Sequence, residues 1–207
     1  LLALAETQGE NEQLTSYNRI LAIEPGQPAA SKKKQGILRE RAETAERNED
    51  LAIALKLYQQ IDDRDAINRL QRRLRRGEVD SQLALVRKYE EIEDWQSIIS
   101  IYQKLQVKFP DEGDWQTSLE TARTQARLLG TYTKALHVLQ TGDTKLAQRL
   151  FGNIIGIQPD YKDAAFYLVL ASRGVTGENL LHEIRTLKQR IPDSQRYTRT
   201  EKTVQSP

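Results

Sequence analysis

Two histidines, one glycine turn, three carboxylate clusters and an arginine stripe are the groups whose types and spacing could do chemistry in this 207-residue chain. Neither His137 nor His182 has a second histidine four residues away, so no helical zinc pair forms. A GxSxG elbow and a cysteine nucleophile are equally missing. His137 stands between Leu136 and Val138 in a helical pattern, which points to a structural or surface role. Gly142-Asp143-Thr144-Lys145 has some residues of a phosphate loop, but lacks the upstream glycine and the Gly-Lys-Ser/Thr order that surround a phosphate with N–H groups. It reads as a turn. Asp62-Asp63-Arg64-Asp65, Glu90-Glu91-Ile92-Glu93-Asp94 and Asp111-Glu112-Gly113-Asp114 could in principle bind calcium or pair as acid and base. None has glycine at the sixth position and glutamate at the twelfth of a calcium loop. Each cluster precedes a helical pattern, where carboxylates meet unpaired N–H groups and the positive dipole end, so helix capping is expected. These readings predict no catalytic residue, no metal site, no cofactor and no enzymatic activity.

Arg69, Arg72, Arg73 and Arg76 fall at i, i+3, i+4 and i+7, hence on one helix face, opposite Ile67, Leu70 and Leu74. Arg75 and Lys32-Lys33-Lys34 add to the charge. Residues 32–76 hold 13 basic and 8 acidic residues in a chain whose net charge is only +2. Such a stripe can hold phosphates or an acidic peptide. No aromatic residue interleaves with it to stack bases, as single-strand binders prefer, and Asp65 is within i, i+4 reach of Arg69. A solvated outer face is the first expectation, and nucleic-acid binding through the stripe is the alternative.

The elements that must carry these residues are helices. Apolar side chains make up 38% and charged ones 29%, and Gly and Pro number 11 and 6, too few for a loop-rich all-β protein. No run approaches eighteen apolar residues, so no membrane span is expected. Cysteine is absent, which removes disulfides and thiolate sites. Methionine is absent too and the chain opens with Leu1, so it reads as a fragment or processed product, with a cytoplasmic setting as the default. Ala52, Leu55 and Tyr58, then Ile67, Leu70 and Leu74, then Leu85, Tyr89 and Ile92, then Ile98, Tyr102, Leu105 and Phe109 make short apolar stripes. Trp115, Leu119, Ala122, Ala126, Leu129, Tyr132, Leu136 and Leu139 form one long stripe, so residues 115–140 are predicted as a helix of roughly 39 Å unless Gly130 breaks it. No stretch alternates with period two for long enough to be a strand. Gly142-Asp143 opens a helix that stops before Pro159, and Glu93-Asp94 opens one that stops before Pro110. Gly152 and Gly156, at GxxxG spacing, suggest a close helix approach. Trp95 and Trp115 stand at helix starts and read as wedges. Residues 193–207 are polar without period and read as a disordered tail or linker.

The stripes repeat. A shift of 49 puts Asp94 on Asp143, Tyr102 on Phe151, Leu105 on Ile154 and Pro110 on Pro159. A shift of 31 puts Tyr58 on Tyr89, Asp63 on Asp94 and Ile67 on Ile98. Pro25 with Tyr17, and Pro192 with Ile184 and Leu187, extend the series in both directions. The run Gly142-Asp143, Ala147, Phe151, Ile154, Pro159 resembles the second half of a tetratricopeptide repeat (TPR), and Asp94, Ile98, Tyr102, Leu105, Pro110 is a looser version. The unit around Ile67 and Leu74 lacks the aromatic and the proline.

The resemblance implies an all-α protein: an α-solenoid of about five TPR-like hairpins near residues 1–25, 50–79, 81–110, 130–159 and 161–192. Extra residues at 26–50 and 111–130 lengthen first helices and should leave visible irregularities. It also implies a non-catalytic protein–protein interaction scaffold, a module of a larger protein. Its concave groove takes a peptide, a partner helix or another domain of the same chain. On this numbering the groove positions are Lys56, Gln59, Arg87, Glu90, Tyr132, Leu136 and Val169. The asparagines (11, 18, 48, 68, 153 and 179) fall outside them, which argues against a clamp for C-terminal carboxylates.

Overall fold

The computed structural model describes residues 9–190; the expected tail at 193–207 lies outside them. The described residues are all-helical and contain no strand. The helices are α1 (Glu10–Ile23), α2 (Pro28–Arg47), α3 (Leu51–Gln60), α4 (Arg64–Glu91), α5 (Trp95–Lys108), α6 (Trp115–Thr141), α7 (Thr144–Ile157), α8 (Ala164–Ser172) and α9 (Gly177–Arg190). The stripe from Trp115 does form one helix, uninterrupted at Gly130, with Trp115, Leu119, Ala122, Leu128, Ala135 and Leu139 buried along it.

Two kinds of turn recur between these helices, and each follows from its residues; α8 to α9 is of neither kind, with the left-handed Gly174 followed by Val175. At the first kind, a residue in the left-handed region is followed at once by aspartate: Glu49-Asp50, Asp62-Asp63, Glu93-Asp94, Gly142-Asp143 and Lys162-Asp163, with φ of 64°, 52°, 57°, 99° and 45° at the first residue. The left-handed residue reverses the chain so that the following N–H can reach back over the ended helix. Asp50 N–H donates to the Ala45 carbonyl at 2.9 Å, Asp63 to Tyr58 at 3.1 Å and Asp143 to Val138 at 3.2 Å. The aspartate then starts the next helix. Ala66, Ser97 and Leu146 N–H donate to Oδ1 of Asp63, Asp94 and Asp143 at 3.1, 3.1 and 3.0 Å, each satisfying one orphan donor of a helix N-terminus. The first two carboxylate clusters are therefore caps. At Asp94 the Ser97 hydroxyl also donates, to Oδ2 at 2.6 Å, and these bonds hold its carboxyl below the usual range.

The second kind of turn precedes or contains proline. Glu24, Phe109 and Gln158 N–H each donate to the carbonyl four residues back at 2.8 Å, and Gln27, Glu112 and Tyr161 N–H then donate to the carbonyls of those same three residues at 3.1–3.2 Å. Pro25, Pro110 and Pro159 sit inside these identical turns, since proline has no N–H to continue the helix. One turn of helix earlier, Ile20, Leu105 and Ile154 are buried.

The chain divides into two units, residues 1–91 with 104–114 and residues 92–103 with 115–207. In the first, α1 packs on α2, α2 on α3 and α3 on α4. Its core contains Tyr17, Ile20 and Ala30 at one end and Ala42, Ala45, Ala54, Tyr58, Ala66 and Leu70 at the other. Alanines that are wholly buried at 30, 42 and 54 let these helix backbones approach closely. In the second unit, α6 packs on α7 and α7 on α8, and α9 returns to α6. Phe151, Leu139, Leu170 and Leu180 are among the buried residues of that core.

The expected unit boundary at 79–81 does not exist: α4 runs unbroken through it from Arg64 to Glu91. Gly77 costs about 1 kcal/mol of helix propensity. Burying Leu70, Val79 and Val86 along the same helix returns about 1.5–3 kcal/mol each, and no proline or aspartate cap intervenes. Residues 26–50 likewise are not an extension of another helix but contain a helix of their own, α2, started by Pro28 and by Gln27, whose Oε1 accepts from Ala30 N–H at 2.8 Å.

An alanine at position 142 would meet no atom within 4 Å, so Gly142→Ala tests backbone conformation alone and should lower unfolding free energy by about 1 kcal/mol. Asp143→Ala should cost a similar amount, about 1 kcal/mol, through the lost cap. Asp62→Gly, at a left-handed residue whose side chain is 78% exposed, should leave stability unchanged or raise it by up to about 1 kcal/mol. Urea unfolding of the three variants checks this, and a loss at Asp62→Gly equal to that at Gly142→Ala would show that φ is not the constraint.

Candidate partner-binding site

Helix α2 has two faces. Leu38, Ala42 and Ala45 are buried, and Arg39, Glu43, Glu46 and Arg47 lie on the opposite side. That polar side forms one wall of an open cleft of about 950 Å³ in the first unit, with Asp65 and Arg69 of α4 forming the other. Tyr58 of α3 and Ala66 of α4, 4% and 3% exposed, floor it.

Ion pairs cross the cleft. Arg69 Nη2 lies 2.8 Å from Glu46 Oε2, and Arg39 Nη2 lies 3.1 Å from Asp63 Oδ2. The Tyr58 hydroxyl donates to the same Glu46 Oε2 at 3.4 Å. Burial pushes the Tyr58 phenol up, the charges of Glu46 and Glu43 push it further, and Arg69 opposes them. The bond to Glu46 raises the Arg69 guanidinium above its ordinary value. The cleft is thus a polar surface carrying both signs of charge, with Glu40 and Glu43 exposed on its rim. This arrangement can pair with charged side chains of an extended chain or a helix. Among the described residues no three His, Asp or Glu side chains converge as metal ligands.

None of the seven expected groove residues lines this cleft. Lys56 and Gln59 are exposed on α3, and Arg87 and Glu90 are exposed near the end of α4. Because α2 is a full helix, α3 is the second helix after the Pro25 turn, so Lys56 and Gln59 are one helix out of the expected register. Val169 is 47% exposed on α8. Tyr132 and Leu136 pack against the core of the second unit. The Tyr132 ring meets Phe151, Tyr161 and Tyr167 edge-on at centroid distances of 6.0, 5.9 and 6.2 Å. The ammonium of Lys162 lies 5.6 Å from the same ring and 2.5 Å from Glu93.

Of the basic stripe, only Arg69 lines the cleft. Arg73 is paired with Glu49 at 2.6 Å, and Arg72 Nε donates to the Asn68 carbonyl at 3.3 Å. The pairing of Arg69 is with Glu46, across to another helix, rather than with Asp65 along its own. Sequence reasoning missed Arg39, Glu43 and Glu46. Their i, i+4, i+7 spacing opposite Leu38, Ala42 and Ala45 was the available signal, hidden by reading residues 26–50 as an insertion.

The expectation of close packing at Gly152 and Gly156 is corrected. A Cβ at either position would meet nothing within 4 Å. They lie in a shallow cleft of about 480 Å³ of the second unit, beside Arg127 and Thr131 of α6 and the half-exposed Ile157. At the Gly142 turn Asp143 caps the helix that follows, accepting from Leu146 N–H. The two expected wedges differ in what they touch: Trp115 is buried and stacks on Tyr102 at 6.3 Å, whereas Trp95 is only partly buried. No helix of the described residues is long and apolar enough to cross a membrane. No protein-family model, curated protein or solved structure matches the chain.

Two outcomes follow from the aromatic cluster of the second unit. Burial raises the Tyr132 phenol from 10.0 to about 12, with the nearby Tyr167 and Asp163 adding to it, and burial also raises Tyr161 and Tyr167. A phenol whose folded value is raised stabilises fully below pH 10, and that stability is lost as pH rises toward about 12. Ultraviolet titration should therefore show a late tyrosinate phase, reduced in Tyr132→Phe, together with alkaline loss of the fold. Phe151, wholly buried and stacked on Tyr167 at 5.6 Å, should cost about 3–5 kcal/mol on replacement by alanine. A thermal midpoint within a few degrees of the parent would contradict that.

Proposed function

We propose that the chain is a non-catalytic scaffold, an irregular α-solenoid of TPR-like hairpins that binds a partner polypeptide in the polar cleft of its first unit. One observation carries this reading: the cleft between α2 and α4 is open, floored by buried side chains and lined by Arg39, Glu43, Glu46, Asp65 and Arg69. Side chains pre-positioned by ion pairs on two rigid helices lose little freedom when a partner docks, which favours specific if modest affinity. The alternation of left-handed-Asp turns with proline turns supports the TPR-like reading, because a hairpin repeat needs a different turn within each pair than between pairs. Three joints depart: α3 to α4 uses a second Asp turn where the pattern calls for proline, α7 to α8 holds both Pro159 and Lys162-Asp163, and at α8 to α9 the left-handed Gly174 is followed by valine. A cytoplasmic module of a larger protein fits the same reading.

The test is selection of a random peptide library on the purified chain, followed by calorimetry of the enriched peptides. Glu40→Lys and Glu43→Lys, both at exposed positions on the cleft, should weaken those peptides about tenfold or more, or about 1.4 kcal/mol. Peptides that bind both variants as well as the parent would remove the cleft from the proposal. Enrichment of oligonucleotides but of no peptide, in a parallel selection, would replace this reading by nucleic-acid binding.

A further inference from the structure

Seven consecutive residues of α4, Arg72 to Glu78, are all exposed. Seven residues make almost two helical turns, so no face of the helix is buried there, although Leu74 is only 36% exposed. Leu70 before the stretch is wholly buried and Val79 after it is 5% exposed. A helix gains most of its stability from a buried face, and this stretch has none. It also holds Gly77 and four arginines: 72, 73, 75 and 76.

The charges are not all answered. Arg73 is paired with Glu49, and Glu78, the nearest carboxylate on the helix, is taken by Lys108. Among the described residues no carboxylate forms an ion pair with Arg72, Arg75 or Arg76. Arg72 and Arg76 stand one turn apart, about 6 Å along the axis, and each guanidinium can take a carboxylate in a two-pronged pair.

We propose that residues 72–78 of α4 dock an acidic segment of a partner polypeptide, through Arg72, Arg75 and Arg76. The stretch suits a run of carboxylates better than a nucleic acid. It spans only about 9 Å of helix axis, whereas nucleic-acid binders commonly neutralise six to ten phosphates. No aromatic side chain occurs from residue 59 to residue 88 to stack a base. An acidic segment also supplies what the helix lacks here, a contact that opposes its like charges.

This inference shares with the proposed function only the class of partner, and it concerns a different surface. The experiment titrates the full chain into a fluorescein-labelled octaglutamate peptide at low salt, read by polarisation. Amide exchange of residues 72–78 is followed in parallel. Saturable binding is expected, with slower exchange in the stretch. Arg72→Gln/Arg76→Gln should weaken binding at least tenfold with an unchanged circular dichroism spectrum. Glu40→Lys and Glu43→Lys should not weaken it, which separates failure here from failure of the cleft. Absence of saturable binding, equal binding by the double variant, or tighter binding of a twenty-nucleotide single strand through the same arginines would each overturn the proposal.

Discussion

A left-handed residue followed by an aspartate at the next helix start is the constraint on which the helix arrangement rests. A helix end has four unpaired carbonyls and a helix start four unpaired N–H groups. In a bundle of hairpins these two problems occur within three residues of each other. A positive φ at Glu49, Asp62, Glu93 and Gly142 turns the chain back over the helix it has left, and the aspartate that follows begins the next. Only Gly142 takes this conformation without a Cβ clash. The others stay there because the packed helices on either side over-determine the turn. Where the residues change to a proline, the turn changes with them, and the helix that follows starts at a different offset.

What the helices bury explains why their lengths differ so much. Helix α3 has 10 residues and α4 has 28, yet both obey the same rule: a helix continues until a cap or a proline stops it. Helix α4 meets neither until Glu91. It therefore passes from the Ala66–Leu70 contact through a stretch without a buried residue before Val79 is buried. The polar cleft and the exposed arginines lie on one helix for this reason, the arginines three to seven residues beyond Arg69. The cleft is set where α4 is packed, and the arginines stand where it is not.

The two units hold polar groups differently. In the first, Tyr58, Glu46 and Arg69 form a half-open network whose charges remain in contact with water. In the second, Tyr132 meets Phe151, Tyr161 and Tyr167 in a largely apolar core, with Lys162, Glu93 and Asp163 beside it. The same residue type is thus a cleft floor in one unit and core filling in the other. Tyr132 was expected at a groove from the TPR resemblance, and its spacing from Leu136 and Leu139 puts it on one face of a helix. Spacing reports which residues share a face, but not whether that face meets water or another helix.

The sequence by itself determined the all-helical class, the long helix from Trp115, the caps at Asp63, Asp94 and Asp143, and the stops before Pro25, Pro110 and Pro159. Each of these depends on interactions between residues no more than about five apart, so the information is contiguous. Only the tertiary structure decided that Gly77 would not end α4, that residues 26–50 hold a separate helix, that Arg69 would pair with Glu46 and Arg73 with Glu49, and that Gly152 and Gly156 would face open space. The pairs join residues 23 and 24 positions apart, and the helix continuity is a balance between a local cost and burial by distant side chains. Local energies of about 1 kcal/mol are legible along the chain; what outweighs them is supplied by residues that only the fold brings near.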